Sequence, residues 1–316
     1  MPLDPQVEAM LAQLAEHPAP KLWEMPVADA RATYDAMAAL LDPTDTPIGK
    51  TDDMSIPGPA GEIPVRVYSP IAGGGSALPC LVFFHGGGFV IGNLATHDAL
   101  CRTLANEASV RVVAVDYRLA PEHAYPAAAD DCYAAASWVE ANAGTLDIDP
   151  NSIAVAGDSA GGNLAAVVCQ MAKAKKGPQI AFQLLIYPTT DFTDAEQWGS
   201  RTEFAEGYFL EKETMRWFEA QYMGGNDAAR SEPFASPLSS EDLSGLPPAY
   251  VITAGFDPLR DEGKAYADAL NAAGTKAEYN DYPGMIHGFF NMQGALDVSR
   301  DAVKVAAQKL AAALAH

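Results

Sequence analysis

The five residues Gly157-Asp158-Ser159-Ala160-Gly161 set a serine between glycines where an apolar run, Ser152–Ala156, gives way to a helical pattern, Ala160–Ala174. A serine on a tight strand-to-helix turn is held out at the end of a sheet. Flanking glycines accept the strained backbone, and the helix N-terminus behind it favours a developing negative charge. A bare pentapeptide of this kind also occurs in ordinary glycine–serine turns; the strand before it and the helix after it favour a nucleophile. A serine hydroxyl is weak and needs a base. The histidines are His17, His85, His97, His123, His287 and His316. Around such a turn the partners follow in the order serine, acid, histidine, which leaves His287 and His316. His287 follows the strand pattern Lys276–Tyr282, where parallel sheets build sites, whereas His316 ends the chain and is expected to fray.

The acid should follow another strand between the two. The run Ala249–Thr253 leads into Ala254-Gly255-Phe256-Asp257-Pro258-Leu259-Arg260-Asp261. Asp257 and Asp261 both qualify by position. Asp257 stands nearer the strand end, and Asp261 reads as a helix N-cap. Asp257 is therefore the preferred partner of His287, holding its tautomer and stabilising the imidazolium. After the apolar run Cys80–Phe84 comes His85-Gly86-Gly87-Gly88-Phe89. Such glycines let main-chain N–H groups turn toward one point. With the N–H of Ala160, the residue after the serine, they form an oxyanion site. A phosphate loop is the competing reading, but the Gly-Lys-Ser/Thr ending and the dinucleotide spacing are absent. His85 reads as a brace for this loop.

The elements that must hold these residues alternate. Residues 1–45 show two amphipathic helical patterns, one through Val7, Met10, Leu11 and Leu14, the other through Val27, Ala30, Tyr34, Met37 and Leu41, broken by Pro18-Ala19-Pro20. Pro64–Pro70 alternates as an antiparallel strand, and Gly73–Ser76 is a turn. Strands at Cys80–Phe84, Val110–Val115, Ser152–Ala156, Ile180–Tyr187, Ala249–Thr253 and Lys276–Tyr282 then alternate with helices near His97–Ala108, Ala127–Ala141, Ala160–Ala174, Glu262–Ala273 and Leu296–Leu314. Continuous apolar strands between helices imply an α/β fold with a parallel sheet covered on both faces. Residues 189–245 interrupt this order with Phe192, Trp198, Phe204, Tyr208, Phe209, Trp217, Phe218 and Tyr222 and a helical stretch Glu211–Tyr222. That is too long for an ordinary connection. It reads as a lid meeting the N-terminal helices, its aromatics divided evenly between packing and pocket wall.

Composition narrows the partners. With 316 residues, 49% hydrophobic and 19% charged, the chain suits two domains, or one large α/β domain with an elaboration, and is not disordered. Lys plus Arg is 20 and Asp plus Glu 41, a formal charge of −21, which repels nucleic acid and anionic membrane surfaces. Cys80, Cys101, Cys132 and Cys169 show neither disulfide nor zinc spacing and read as buried reduced thiols. No basic, apolar leader and no membrane-length run is present, so the expectation is a cytoplasmic protein that needs no cofactor and no metal. A homodimer is compatible with the sequence.

Together these parts resemble the bacterial hormone-sensitive-lipase-like esterases, in the subgroup carrying Gly-Asp-Ser-Ala-Gly. The matching text is His85–Phe89, Asp116-Tyr117-Arg118-Leu119-Ala120-Pro121-Glu122 with Pro126, Gly157–Asn163, Asp257–Glu262 and His287-Gly288-Phe289, over about residues 50–295. The resemblance implies an α/β-hydrolase fold with a helical cap at 1–45 and about 189–245, a triad of Ser159, Asp257 and His287, and oxyanion donors at Gly87 and Gly88 with Ala160 rather than Gly86. It also implies hydrolysis of short- to medium-chain esters through an acyl-enzyme. Related plant hormone receptors share the fold but lack the histidine that stands here as His287. Two alternatives remain at this stage: amide or lactone hydrolysis on the same triad, and a binding module that does no chemistry. Of the remaining polar residues, Asp158 reads as stabilising the turn, Asp130 and Asp131 as starting a helix, and Tyr117, Arg118, Glu122 and His123 as bracing the glycine loop.

Overall fold

The computed structural model describes residues 2–16, 20–42, 45–72, 77–193 and 197–315. The turn expected at Gly73–Ser76, the break at Pro18-Ala19 and the terminal His316 lie outside them. Eight strands form one sheet: β1 (Lys50–Gly58), β2 (Gly61–Ser69), β3 (Leu78–Phe84), β4 (Arg111–Val115), β5 (Ile148–Asp158), β6 (Phe182–Ile186), β7 (Ala249–Phe256) and β8 (Ala277–Ile286). Their spatial order is β1-β2-β4-β3-β5-β6-β7-β8. β1 and β2 pair antiparallel, as do β2 and β4; every pair from β4 to β8 is parallel.

The parallel strands read as continuous apolar runs because both faces are covered. Successive side chains alternate between two cores. Cys80, Val82, Phe84, Val113 and Val155 face helices α4 (Ala127–Ala141), α5 (Ala160–Lys175) and α8 (Arg260–Ala272). Leu81, Phe83, Val112, Ala154 and Ala156 face α3 (Asp98–Ala108) and α9 (Asp297–Leu314). Each fully buried Val, Leu or Phe contributes about 1.5–3 kcal/mol, so this two-sided burial dominates the stability of the scaffold.

Helices α1 (Pro5–Glu16) and α2 (Val27–Leu41) lie ahead of the sheet. The Asp4 N–H bonds the Gly284 carbonyl at 3.0 Å, and the Gly294 N–H bonds the Leu41 carbonyl at 3.0 Å. These contacts tie the N-terminal segment to the region around β8 and α9. Between β6 and β7 the chain makes an excursion with α6 (Gly199–Glu203) and α7 (Lys212–Met223). Its anchor is buried: Arg201 donates to Glu262 at 2.7 Å and to Glu219 at 3.1 Å, while Glu262 also accepts from the Thr190 N–H at 2.8 Å. Breaking such a fully paired buried network by removing one partner costs several kcal/mol.

Candidate active site

The turn between β5 and α5 leaves no room for a side chain at Gly157 or Gly161, the two residues that flank Asp158-Ser159-Ala160. A Cβ on Gly157 would lie 2.3 Å from the Gly161 carbonyl carbon, and one on Gly161 would lie 1.9 Å from the Phe84 carbonyl oxygen. Both positions therefore require glycine. Ser159 itself sits at φ 57°, ψ −117°, a strained conformation held by its N–H bond to the Ile186 carbonyl at 2.8 Å. Non-glycine residues are rare at positive φ and persist only where the surroundings impose them.

β7 and β8 end beside this serine and deliver the other two groups. His287 Nε2 lies 2.9 Å from Ser159 Oγ, and His287 Nδ1 lies 2.8 Å from Asp257 Oδ2. A neutral imidazole with its proton on Nδ1 satisfies both contacts, accepting the serine O–H at Nε2. Asp257 is fully buried, and its second oxygen accepts the Leu259 N–H at 2.8 Å. The Tyr187 ring packs on the imidazole with centroids 4.7 Å apart. Tyr187 has φ 35° and a buried hydroxyl; burial pushes that phenol well above its ordinary range. Sequence reasoning gives Tyr187 no role, because only its strained backbone and its ring contact with His287 mark it.

Asp261 does not cap its own helix. α8 begins at Arg260, with Leu259 at the N-cap position. Asp261 Oδ2 instead accepts the Ser200 N–H at 2.8 Å, capping α6 from outside. Asp261 Oδ1 pairs with Arg260 at 2.9 Å.

The glycine loop after β3 is fixed from several sides. The Gly86 N–H donates to Asp158 Oδ1 at 2.9 Å, and His97 Nε2 lies 3.1 Å from the same oxygen. Asp158 Oδ2 accepts from Asn291 Nδ2 at 3.0 Å. Burial drives the Asp158 carboxyl upward, but His97 and the Gly86 N–H outweigh it and hold the group below the usual carboxylate range. Gly87 and Gly88 have φ 115° and 60°. A Cβ on Gly87 would meet the Ile91 carbonyl oxygen at 2.2 Å, and one on Gly88 would enter the Phe218 ring at 2.2 Å. His85 is buried, its pKa pushed down to about 3 by desolvation and by His97. It is neutral at physiological pH and donates from Nδ1 to the Gly86 carbonyl at 2.7 Å.

The other expected braces divide. Tyr117 donates to the His85 carbonyl at 2.7 Å and stacks on its ring. Arg118 turns away to Asp131 at 2.8 Å, so Asp131 anchors Arg118 rather than simply starting α4. Glu122 holds Arg31 of α2 at 2.7 Å, and Arg31 in turn donates to the Val90 and Ala120 carbonyls. The His123 N–H bonds the Leu119 carbonyl at 2.9 Å, and the residue borders a separate cleft with Asp35 and Asp116.

A cavity of about 470 Å³ opens above Ser159, Gly87, Gly88 and His287. Leu11, Tyr34, Met37 and Leu41 come to it from the N-terminal helices, and Phe192, Phe209 and Phe218 from the excursion. Of the aromatics singled out in the sequence, Trp198, Phe204, Tyr208, Trp217 and Tyr222 do not line it. Phe204 and Tyr208 pack on Phe256, and Trp198 donates to Asp191 at 2.9 Å. The charges at the wall are paired: Lys21 with Glu211 at 2.7 Å, and Glu219 with Arg201 and Arg230. Among the described residues no cluster of three His, Cys, Asp or Glu side chains is arranged to hold a metal ion, and no helix is long and apolar enough to cross a membrane.

Comparison with known proteins agrees with this architecture. Residues 81–291 match the model of the alpha/beta hydrolase fold family. The chain is 48% identical over 232 residues to the carboxylesterase NlhH of Mycobacterium tuberculosis, covering 73% of this chain and 72% of that protein. It is 51% identical over 248 residues to the carboxylic ester hydrolase LipN of the same organism, covering 76% of this chain but only 64% of LipN. An ester hydrolase structure from the metagenome of Lake Arreo superposes with a TM-score of 0.94 at 43% identity over 98% of each chain. The chain belongs to the α/β-hydrolase fold family and stands there among carboxylic ester hydrolases.

Proposed function

We propose that the protein hydrolyses small, uncharged carboxylic esters with short to medium acyl chains through an acyl-enzyme. The observation that carries this reading is the hydrogen-bonded series Asp257–His287–Ser159 at the floor of an apolar cavity whose charged residues are paired. His287 Nε2 takes the Ser159 proton as Oγ attacks the ester carbonyl. Asp257 holds the imidazole and stabilises its charged form. The N–H groups of Gly87, Gly88 and Ala160 receive the oxyanion. Gly86 is left out, which accords with its N–H being spent on Asp158. Collapse of the tetrahedral intermediate breaks the bond to the alkoxy oxygen, which takes the proton from His287 and leaves as alcohol. Water, deprotonated by His287, then releases the acid and regenerates Ser159.

In this reading residues 1–45 and about 189–245 form the cap over a catalytic domain of residues 46–316. The free, buried thiols Cys80, Cys101, Cys132 and Cys169 support a cytoplasmic setting. All groups assigned a role come from one chain, so a homodimer would carry two independent sites.

The test is Ser159→Ala with a p-nitrophenyl ester and its matched anilide. Loss of a triad member costs on the order of 10⁴–10⁶ in kcat. The wild type should hydrolyse the ester far faster than the anilide and take up one aryl phosphonate on Ser159. A variant keeping more than about a tenth of wild-type turnover would remove Ser159 from the mechanism.

A further inference from the structure

The excursion contains one backbone distortion that none of the roles assigned so far requires. The Leu210 N–H bonds the Tyr208 carbonyl at 3.0 Å, two residues back, with Phe209 between them at φ 76°. This is the γ-turn of positive φ, rare and strained, with a bulky aromatic at its tip. The loop around it is held from outside. The Lys212 N–H closes it onto the Ala205 carbonyl at 2.9 Å. Tyr208 and Phe204 pack on Phe256, with centroids 5.2 and 5.4 Å away. Glu211 is clasped by Lys21. The result is that the Phe209 ring enters the cavity against Gly288: a Cβ on Gly288 would lie 3.3 Å from Phe209 Cε1.

Position gives the ring a side. Gly87 and Gly88, the proposed oxyanion donors, border the cavity beside Phe218, as the Gly88 contact shows. His287 must hand its proton to the alkoxy oxygen, so that oxygen comes within hydrogen-bond reach of Nε2. The group attached to it then extends past His287 toward Gly288 and Phe209. We propose that Phe209, displayed by its strained turn, limits the size of the alcohol half of the ester and is the specificity-determining residue for the leaving group. This rests on the esterase reading above and goes beyond it by assigning the two ends of the cavity.

The consequence is confined to one half of the reaction. Esters sharing an acyl group form the same acyl-enzyme, so a restriction on the alcohol acts on its formation and, by microscopic reversibility, on acyl transfer back to an added alcohol. It does not act on the acyl chain.

The test compares kcat/KM for methyl, isopropyl and cyclohexyl acetate, and for methyl acetate through methyl octanoate, in wild type, Phe209→Ala and Phe209→Trp. Phe209→Ala should raise the cyclohexyl-to-methyl ratio about tenfold or more, and Phe209→Trp should lower it, while the acyl-chain profile stays in place. With p-nitrophenyl acetate as common donor, Phe209→Ala should also divert more acetyl-enzyme to added cyclohexanol. Opposite signs in the two variants separate a gate from a folding defect. A ratio that moves less than about threefold in both, or an acyl profile that moves instead, overturns the assignment while leaving the esterase intact. Absence of wild-type turnover on every ester overturns both.

Discussion

The Gly86 main-chain N–H points at Asp158 Oδ1, 2.9 Å away, and so is turned from the serine that follows Asp158 in the chain. The residue before the nucleophile thereby sets which N–H groups of the glycine loop stay free. The same carboxylate binds Asn291, four residues beyond His287, so one buried group ties together the loop, the serine turn and the histidine segment.

Asp158→Ala should release that loop. The proposed donors would lose their aim, and loss of one oxyanion donor costs about 10²–10³ in kcat. KM should change little, because the loop's aim matters chiefly as charge develops. Asp158→Asn should be milder: its carbonyl still accepts from Gly86, and Asn291 Oδ1, without a partner among the described residues, can accept from the new amide after a flip. Kinetics that rank the two variants the other way would remove Asp158 from the positioning of the loop.

Asp257→Asn and Asp261→Ala should differ in kind. Asp257→Asn keeps the bond from Leu259 but favours the wrong imidazole tautomer, costing about 10⁴ in kcat. Asp261→Ala removes the acceptor for the Ser200 N–H at the start of α6 and should cost about 1 kcal/mol of stability, read by thermal unfolding, with kcat little changed. If Asp261→Ala is the inactive variant, the acid has been misassigned.

Asp42 makes stability depend on pH. It follows α2, with Oδ1 buried and without a partner among the described residues, and burial raises its pKa to about 7, with Asp158 and Asp98 adding to the shift and His97 opposing it. An unfolded aspartate titrates near 3.9. The folded state therefore holds the proton more tightly. This contribution is fully present below about pH 4 and is lost progressively as pH rises to about 7, at a cost on the order of 2–4 kcal/mol. Asp42→Asn should raise Tm at pH 8.5 and change it little at pH 4. Equal shifts at both pH values would show that Asp42 is not the titrating group.

Much of this was legible along the chain, and what was not has local reasons. The helical pattern matches α4 to the residue, and apolar runs match the buried strands to within a few residues, because strands covered on both faces are continuously apolar. No sequence pattern marks β1 as a strand. Its residues Lys50–Gly58 bury only Ile56, and it is held at the sheet edge by main-chain pairing with β2. α6 is five residues long and starts on a cap supplied by Asp261, far along the sequence. At the site, the order of serine, acid and histidine was enough to choose residues that the fold brings into contact. The spending of the Gly86 N–H was not, since it depends on a residue 72 positions away. Which of the excursion's aromatics pack and which reach the cavity is not legible for the same reason: Phe204 and Tyr208 carry the loop and Phe209 enters the cavity, a division set by one turn.

Chain length of the acyl group should show where the cavity ends. Its wall is mostly apolar, with Leu11, Met37 and Leu41 from the N-terminal helices and Phe192 and Phe218 from the excursion lining about 470 Å³. Each buried methylene contributes about 0.8 kcal/mol, close to fourfold in kcat/KM, until the space is filled. Overfilling a packed site then costs about 1–3 kcal/mol. kcat/KM should rise from acetyl toward butyryl or hexanoyl esters and fall for longer chains. Part of the wall belongs to α1 and α2, which are fastened by Lys21–Glu211 and Arg31–Glu122, pairs that are partly exposed and each worth about 1 kcal/mol or less. Removing residues 1–40 should therefore flatten the preference for short chains, measured on preparations whose thermal unfolding remains cooperative. The decisive measurement is kcat/KM for p-nitrophenyl esters from about two to sixteen acyl carbons. A maximum at the longest chains, presented as an emulsion, would mean that the wall does not bound the acyl group and that the substrate is a long-chain lipid.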